Sequence, residues 1–157
     1  MADLSDHEAR RERLRQRYLS DAAPAAEPPR TNGVDHLALI SSDLDATIQF
    51  YTGVLKMRLT KVIANRDAPT STHIFLDMGG GNLLAFFDFP EHGPAPSVRG
   101  VGAMHHIALK ADPAQFRAVL GALEDQGIAH SLHGTAEKGS VYMRDPDNIM
   151  VEVTTGY

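Results

Sequence analysis

Val34-Asp35-His36-Leu37-Ala38-Leu39 returns in the second half of the chain as Met104-His105-His106-Ile107-Ala108-Leu109. Each copy alternates around a short apolar run, the pattern of a strand with one buried and one open face. A second pair follows in the same order. Asn82-Leu83-Leu84-Ala85-Phe86-Phe87 aligns with Asn148-Ile149-Met150-Val151-Glu152-Val153, which matches Phe86 with Glu152. The duplication thus supplies one histidine per copy, His36 and His106, and a carboxylate, Glu152, in the second copy. Two imidazoles and one carboxylate on a common face make a divalent-metal donor set that leaves coordination positions open.

Working outward from these strands, each copy reads β-α-β-β-β. After Val34–Ile40, Ser41-Ser42-Asp43 offers helix caps, and Leu44, Ile48, Tyr51 and Leu55 recur along one helical stripe. Strands are predicted over Met57–Ala64, His73–Met78 and Asn82–Phe89, with Gly79-Gly80-Gly81 as a hairpin. In the second copy, Met104–Lys110 is a strand and Asp112-Pro113 opens a helix with proline at its first position. Phe116, Val119, Leu120 and Leu123 form that helix's stripe, and Gly127 caps its end. Ile128–Leu132, Gly139–Arg144 and Ile149–Thr154 are the remaining strands, with Asp145-Pro146-Asp147-Asn148 as a turn. The copies span residues 33–92 and 102–157, joined by a connector rich in Pro and Gly. Residues 1–19 form a helical arm with a possible capping box at Ser5 and Glu8. Residues 20–32, carrying Pro24, Pro28 and Pro29, form a linker.

Composition bounds the chemistry. At 157 residues the chain suits one domain with a sizeable core. A hydrophobic share of 43% and a charged share of 22% are those of an ordinary globular protein. The net charge of −5 speaks against nucleic acid as a partner, since phosphate binding needs a basic face. The absence of cysteine removes disulfides and thiolate sites, so a tightly held metal must use histidine, carboxylate or water. No apolar run has the length of a membrane span, and the N-terminus lacks a secretory core. The expectation is a cytoplasmic protein with no membrane partner.

A β-α-β-β-β unit covers one sheet face with its own helix and leaves the other bare. Two units side by side curve into a cup, with helices outside. If Leu37, Ile107, Val151 and Val153 pack against the helices, alternation puts His36, His106, Glu152 and Phe86 on the bare face. His105 then points the opposite way from His106.

This plan, with histidines on the first strand of each unit and a glutamate on the last, resembles the vicinal-oxygen-chelate superfamily of glyoxalases, fosfomycin- and bleomycin-resistance proteins and extradiol dioxygenases. The resemblance covers residues 33–157. It implies an α+β fold of two tandem β-α-β-β-β units forming a curved mixed-sheet cup, with His36, His106 and Glu152 as metal ligands. Within the superfamily the run His133, Tyr142, Asp145-Pro146 and Glu152 is most similar to extradiol ring-cleaving dioxygenases. That similarity implies Tyr142 and His133 as catalytic groups and Fe(II) as the metal, with Mn(II), Ni(II) or Zn(II) as alternatives. Two positions depart from the pattern: Ser131 precedes the histidine, and Asn148 replaces the usual glycine or proline. Asn82 falls where these enzymes carry a catalytic histidine, and asparagine cannot shuttle a proton. Phe86 stands where glyoxalases present a fourth ligand and would form an apolar wall beside the substrate.

The implied activity is a dioxygenase acting on a small, catechol-like substrate with adjacent oxygens. A glyoxalase-like lyase or isomerase and a metal-free ligand-binding resistance protein are the alternatives. A homodimer is expected, because a partner commonly covers the edge strands of such units. Sequence leaves open whether one chain closes the cup or two chains share it.

Overall fold

The computed structural model of the chain describes residues 4–20, 28–93 and 95–156. They divide into two compact units after Gly33. The first contains helix α1, Leu4–Tyr18, which buries no residue and carries ion pairs from Glu8 to Arg11 and Arg15. The helix is already running at Leu4, ahead of the expected cap at Ser5. Of the expected linker, residues 21–27 lie outside the described residues.

The second unit holds the duplication. Its first module runs β1 His36–Ile40, α2 Leu44–Gly53, β2 Arg58–Ala64, β3 Thr72–Gly79 and β4 Asn82–Phe87. The second runs β5 Ile107–Lys110, α3 Pro113–Asp125, β6 His130–Gly134, β7 Gly139–Arg144 and β8 Met150–Thr154. Each module makes a four-stranded mixed sheet, ordered β1-β4-β3-β2 and β5-β8-β7-β6. In both sheets the first strand is parallel to the last and the other pairs are antiparallel. The fold is α+β with two repeated units, as the sequence implied.

Local chemistry sets the helices. The Asp43 side chain accepts from the Ala46 amide to start α2, and Asp112 with Gln115 forms a reciprocal capping box ahead of α3. The helices bury Phe50, Tyr51, Phe116, Val119 and Leu123 in one apolar cluster. From the sheets, Ile74, Leu76, Leu84, Phe86, Val141, Met143, Val151 and Val153 join it, with Leu37, Leu39, Ile107 and Leu109 packed against its edge.

Three expectations need correction. Phe86 is fully buried in this cluster, its ring 5.2 Å from Tyr51, and does not stand on the open face. The alignment of β4 with β8 was one residue out of step. Ala38 pairs with Ala85 as Ala108 pairs with Glu152, so the counterpart of Glu152 is Ala85. A slip of one reverses every side chain in a strand. Second, β5 begins only at Ile107, which leaves His105 and His106 just ahead of the regular strand. Third, β6 is shifted towards the C-terminus, and His133 lies within it rather than in a loop.

The turn Asp145-Pro146-Asp147-Asn148 links the modules. Asp145 Oδ1 accepts from the amides of Asp147 and Ile149, and its Oδ2 accepts from the Tyr51 hydroxyl at 3.0 Å. Asp147 accepts from the Ser42 hydroxyl and amide. Asn148 has φ of 66°, a left-handed conformation that asparagine tolerates, so its departure from glycine is harmless. Burial raises the pKa of Asp145 above the usual carboxylate range, while its donors pull it back. Burial, then the Asp145 charge, raises that of Tyr51.

Tyr51→Phe should destabilise the protein by about 1–3 kcal/mol in urea unfolding, because it strips a donor from a buried carboxylate. A carboxyl with a raised folded-state pKa contributes stability that is present at low pH and lost as pH rises through that pKa. Asp145→Asn keeps the Oδ1 acceptor and should flatten the pH–stability curve just above the ordinary carboxylate range.

Candidate metal centre

Strand pairing groups the open face of the second module, because directly paired residues project to the same side of a sheet. Glu152 pairs with Ala108 on one side and Tyr142 on the other, and Tyr142 pairs with Ser131. In the adjoining row, His133 pairs with Ser140 and Ser140 with Thr154. The Ser140 hydroxyl donates to Thr154 Oγ1 at 2.9 Å. His106 reaches this face from just before β5. Its Nε2 lies 2.9 Å from Glu152 Oε2. The Tyr142 ring stands edge-on to both histidines, 6.1 Å from His106 and 5.6 Å from His133. The β6–β7 hairpin brings His133 close: a Cβ on Gly139 would lie 2.4 Å from the His133 carbonyl oxygen, so only glycine permits this approach.

Glu152 has no solvent exposure, while the His106 side chain keeps 31%. A carboxylate with no solvent exposure is costly unless a hydrogen-bond donor or cation meets it. His106 and Glu152 supply two donors of the kinds a divalent ion takes. Imidazole and carboxylate ligands about 2.0–2.2 Å from a metal, at right angles, stand about 3 Å apart. The observed 2.9 Å is that spacing, and it is also a hydrogen-bond distance.

His36 lies on the open face of the first module, its side chain 40% exposed. Beside it runs an aromatic wall. Its ring is 5.7 Å from Phe75 and 6.4 Å from His73, and His73 stacks on Phe87 at 3.7 Å. Phe87, not Phe86, therefore supplies the apolar surface on this side. The His73 Nε2 is buried without a hydrogen-bond partner among the described residues. Burial, then His36 and Lys61, lowers the His73 pKa and favours the neutral ring. Asn82 is not on the wall: its amide donates to the carbonyls of Gly79 and Gly80 and closes the hairpin. The substrate wall expected of Phe86 and the place beside the substrate expected of Asn82, at the position of the dioxygenases' histidine, are thus withdrawn.

Among the described residues, no group of three or more His, Cys, Asp or Glu side chains is placed to hold a metal ion. The chain brings His106, Glu152, Tyr142 and His133 together and leaves His36 with the other module. A cleft of about 1090 Å³ runs from Leu39–Ser42 past Phe89 and Arg99 to His105 and Asp147, but none of these five residues lines it. Sequence reasoning missed His105, whose Nδ1 lies 2.7 Å from His106 Nδ1 instead of pointing away. His73, which the sequence offers with His92 as a histidine able to reach the cavity, lies against His36. The period-two pattern of β3 held the signal for His73.

The Glyoxalase/Bleomycin resistance protein/Dioxygenase superfamily model matches residues 33–153, and the chain belongs to that superfamily. It is 28% identical over 106 residues to "Putative ring-cleaving dioxygenase MhqA" of Bacillus subtilis, a match covering 65% of this chain and 33% of that protein. The related MhqE of the same organism is 26% identical over 90 residues, 55% of this chain and 30% of that protein. The chain thus spans about a third of the length of these curated relatives. A glyoxylase/bleomycin resistance protein/dioxygenase domain from Frankia superposes with a TM-score of 0.70 at 19% identity, covering 81% of this chain and 99% of that one. Fosfomycin resistance protein FosX from Listeria monocytogenes, solved with Mn(II) and 1S,2S-dihydroxypropylphosphonic acid, gives 0.63 at 18% identity, with 81% and 94% covered. These structures share the fold. Members of the superfamily bind divalent metals, as FosX does Mn(II). Among the described residues, no helix is long and apolar enough to cross a membrane.

Phe86→Glu would force a carboxylate against Tyr51 in the core and should cost more than about 4 kcal/mol, visible as loss of cooperative thermal unfolding.

Proposed function

We propose that the chain is a metal-dependent dioxygenase of the ring-cleaving kind, with Fe(II) as its metal and a small catechol-like compound as its substrate. The observation that carries this reading is the cross-strand grouping of Glu152 and His106 with Tyr142 and His133 on one face. Glyoxalase-like chemistry is disfavoured, because Ala85, the counterpart of Glu152, offers no fourth donor. The Phe75 and Phe87 wall suits a planar ring more than a small aldehyde.

His36 completes the ligand set in a homodimer, where the first module of one chain faces the second module of another. Two features support this. His36 and His106 are both partly exposed, and exposed apolar side chains such as Ile40 and Ile63 flank the first. His73 sits 6.4 Å from His36 and travels with it into the shared site. Fe(II), when bound, acidifies a chelating hydroxyl and brings dioxygen to the ring. The Tyr142 hydroxyl donates a hydrogen bond to a substrate oxygen above Glu152. His133, edge-on to Tyr142, orients the substrate at the open end of the face.

Oxygen uptake by Fe(II)-loaded protein across a panel of catechols tests the assignment. Turnover should occur, and Tyr142→Phe should lower it by about 10²–10⁴ with metal content unchanged. Absence of oxygen uptake, together with isomerisation of small carbonyl substrates, would overturn the dioxygenase assignment.

A further inference from the structure

We propose that the residue immediately before each site histidine, Asp35 and His105, is a positioning residue. Each holds its neighbour's ring by Nδ1, so that Nε2 is presented as the donor. Asp35 Oδ1 lies 2.6 Å from His36 Nδ1, and His105 Nδ1 lies 2.7 Å from His106 Nδ1. In both places the other ring nitrogen is left for the site, and His106 Nε2 is the atom that meets Glu152. The inference rests on the metal-site reading above and concerns how its two imidazoles are aimed.

Neighbouring side chains on a regular strand point to opposite faces and do not meet. These pairs meet because the strands have not yet become regular. Asp35 sits in a bend ahead of β1, and His105 and His106 precede β5. The Asp35 backbone is nevertheless fixed, since its carbonyl accepts from the Leu83 amide at 3.0 Å. The side chain turns sideways while the chain stays anchored. The same device occurs at equivalent places in both copies of the repeat.

The two partners differ in chemistry. An ionised carboxylate only accepts, so Asp35 fixes the His36 proton on Nδ1 and makes Nε2 a better electron-pair donor. An imidazole either donates or accepts, so His105 orients the His106 ring without imposing one tautomer. It can serve His106 both when Nε2 faces Glu152 alone and when it faces a cation.

Two measurements on the full chain test this. Long-range ¹H–¹⁵N spectra of the metal-free protein should report His36 as the Nδ1–H tautomer, and Asp35→Ala should shift it towards Nε2–H. Calorimetric titration with Mn(II) should show about 10–100-fold weaker binding for Asp35→Ala and for His105→Ala. Asp35→Asn and His105→Asn, which keep a polar atom at the contact, should recover most of the affinity. Both replaced side chains are exposed, so the core is spared. Unchanged Mn(II) affinity in both alanine variants, or a wild-type His36 in the Nε2–H form, would overturn the proposal. Wild-type protein that takes up no Mn(II) would instead overturn the metal-site reading, while the His36 tautomer still decides the role of Asp35.

Discussion

A carboxylate with no solvent exposure stands in the middle of the last strand, and the second module is organised around meeting it. Glu152 lies on β8 between Ala108 and Tyr142, with apolar residues on either side in sequence. Water cannot solvate it there, so a donor or cation must. His106, just ahead of the neighbouring edge strand, comes within 2.9 Å of it. The Tyr142 ring stands edge-on to His106 and the His133 ring edge-on to Tyr142.

The two modules share a plan but not a surface. Around His36 the first module presents Phe75, Phe87 and a neutral-leaning His73. Around Glu152 the second presents hydroxyls and imidazoles. The buried Tyr51–Asp145 contact fixes the turn that leads into β8. Duplication gave the same scaffold twice, and the residues on the faces away from the helices differ between the copies.

Much of this was legible in the sequence because the signals were local. Alternation in Val34–Leu39, the Asp112-Pro113 cap and the Asp145–Asn148 turn each specify their element with little help from the rest of the chain. Facing of His36 and Glu152 follows from the period of two, while Tyr142 comes from the resemblance. The failures were of register. Sequence similarity between β4 and β8 places Phe86 beside the site, whereas hydrogen-bond pairing with β1 turns it inward. His105 was misjudged because alternation was carried past the end of β5, where the backbone no longer enforces it. Asn82 was read as a site residue because its hairpin role depends on Gly79–Gly81, which adopt positive φ. The separation of His36 from the His106–Glu152 pair depends on how modules meet, and no short stretch of sequence encodes that.

The central claim is that His106 and Glu152 of one chain hold a metal with the help of His36 from another. Mixing two inactive variants, His36→Ala and Glu152→Ala, tests it most directly. Each homodimer should bind Mn(II) weakly. After unfolding and refolding the two together, heterodimers should regain one tight site each, because one of the two shared faces then has all three ligands. If the mixture binds no more tightly than either variant, the ligands are not shared between chains and the account is wrong.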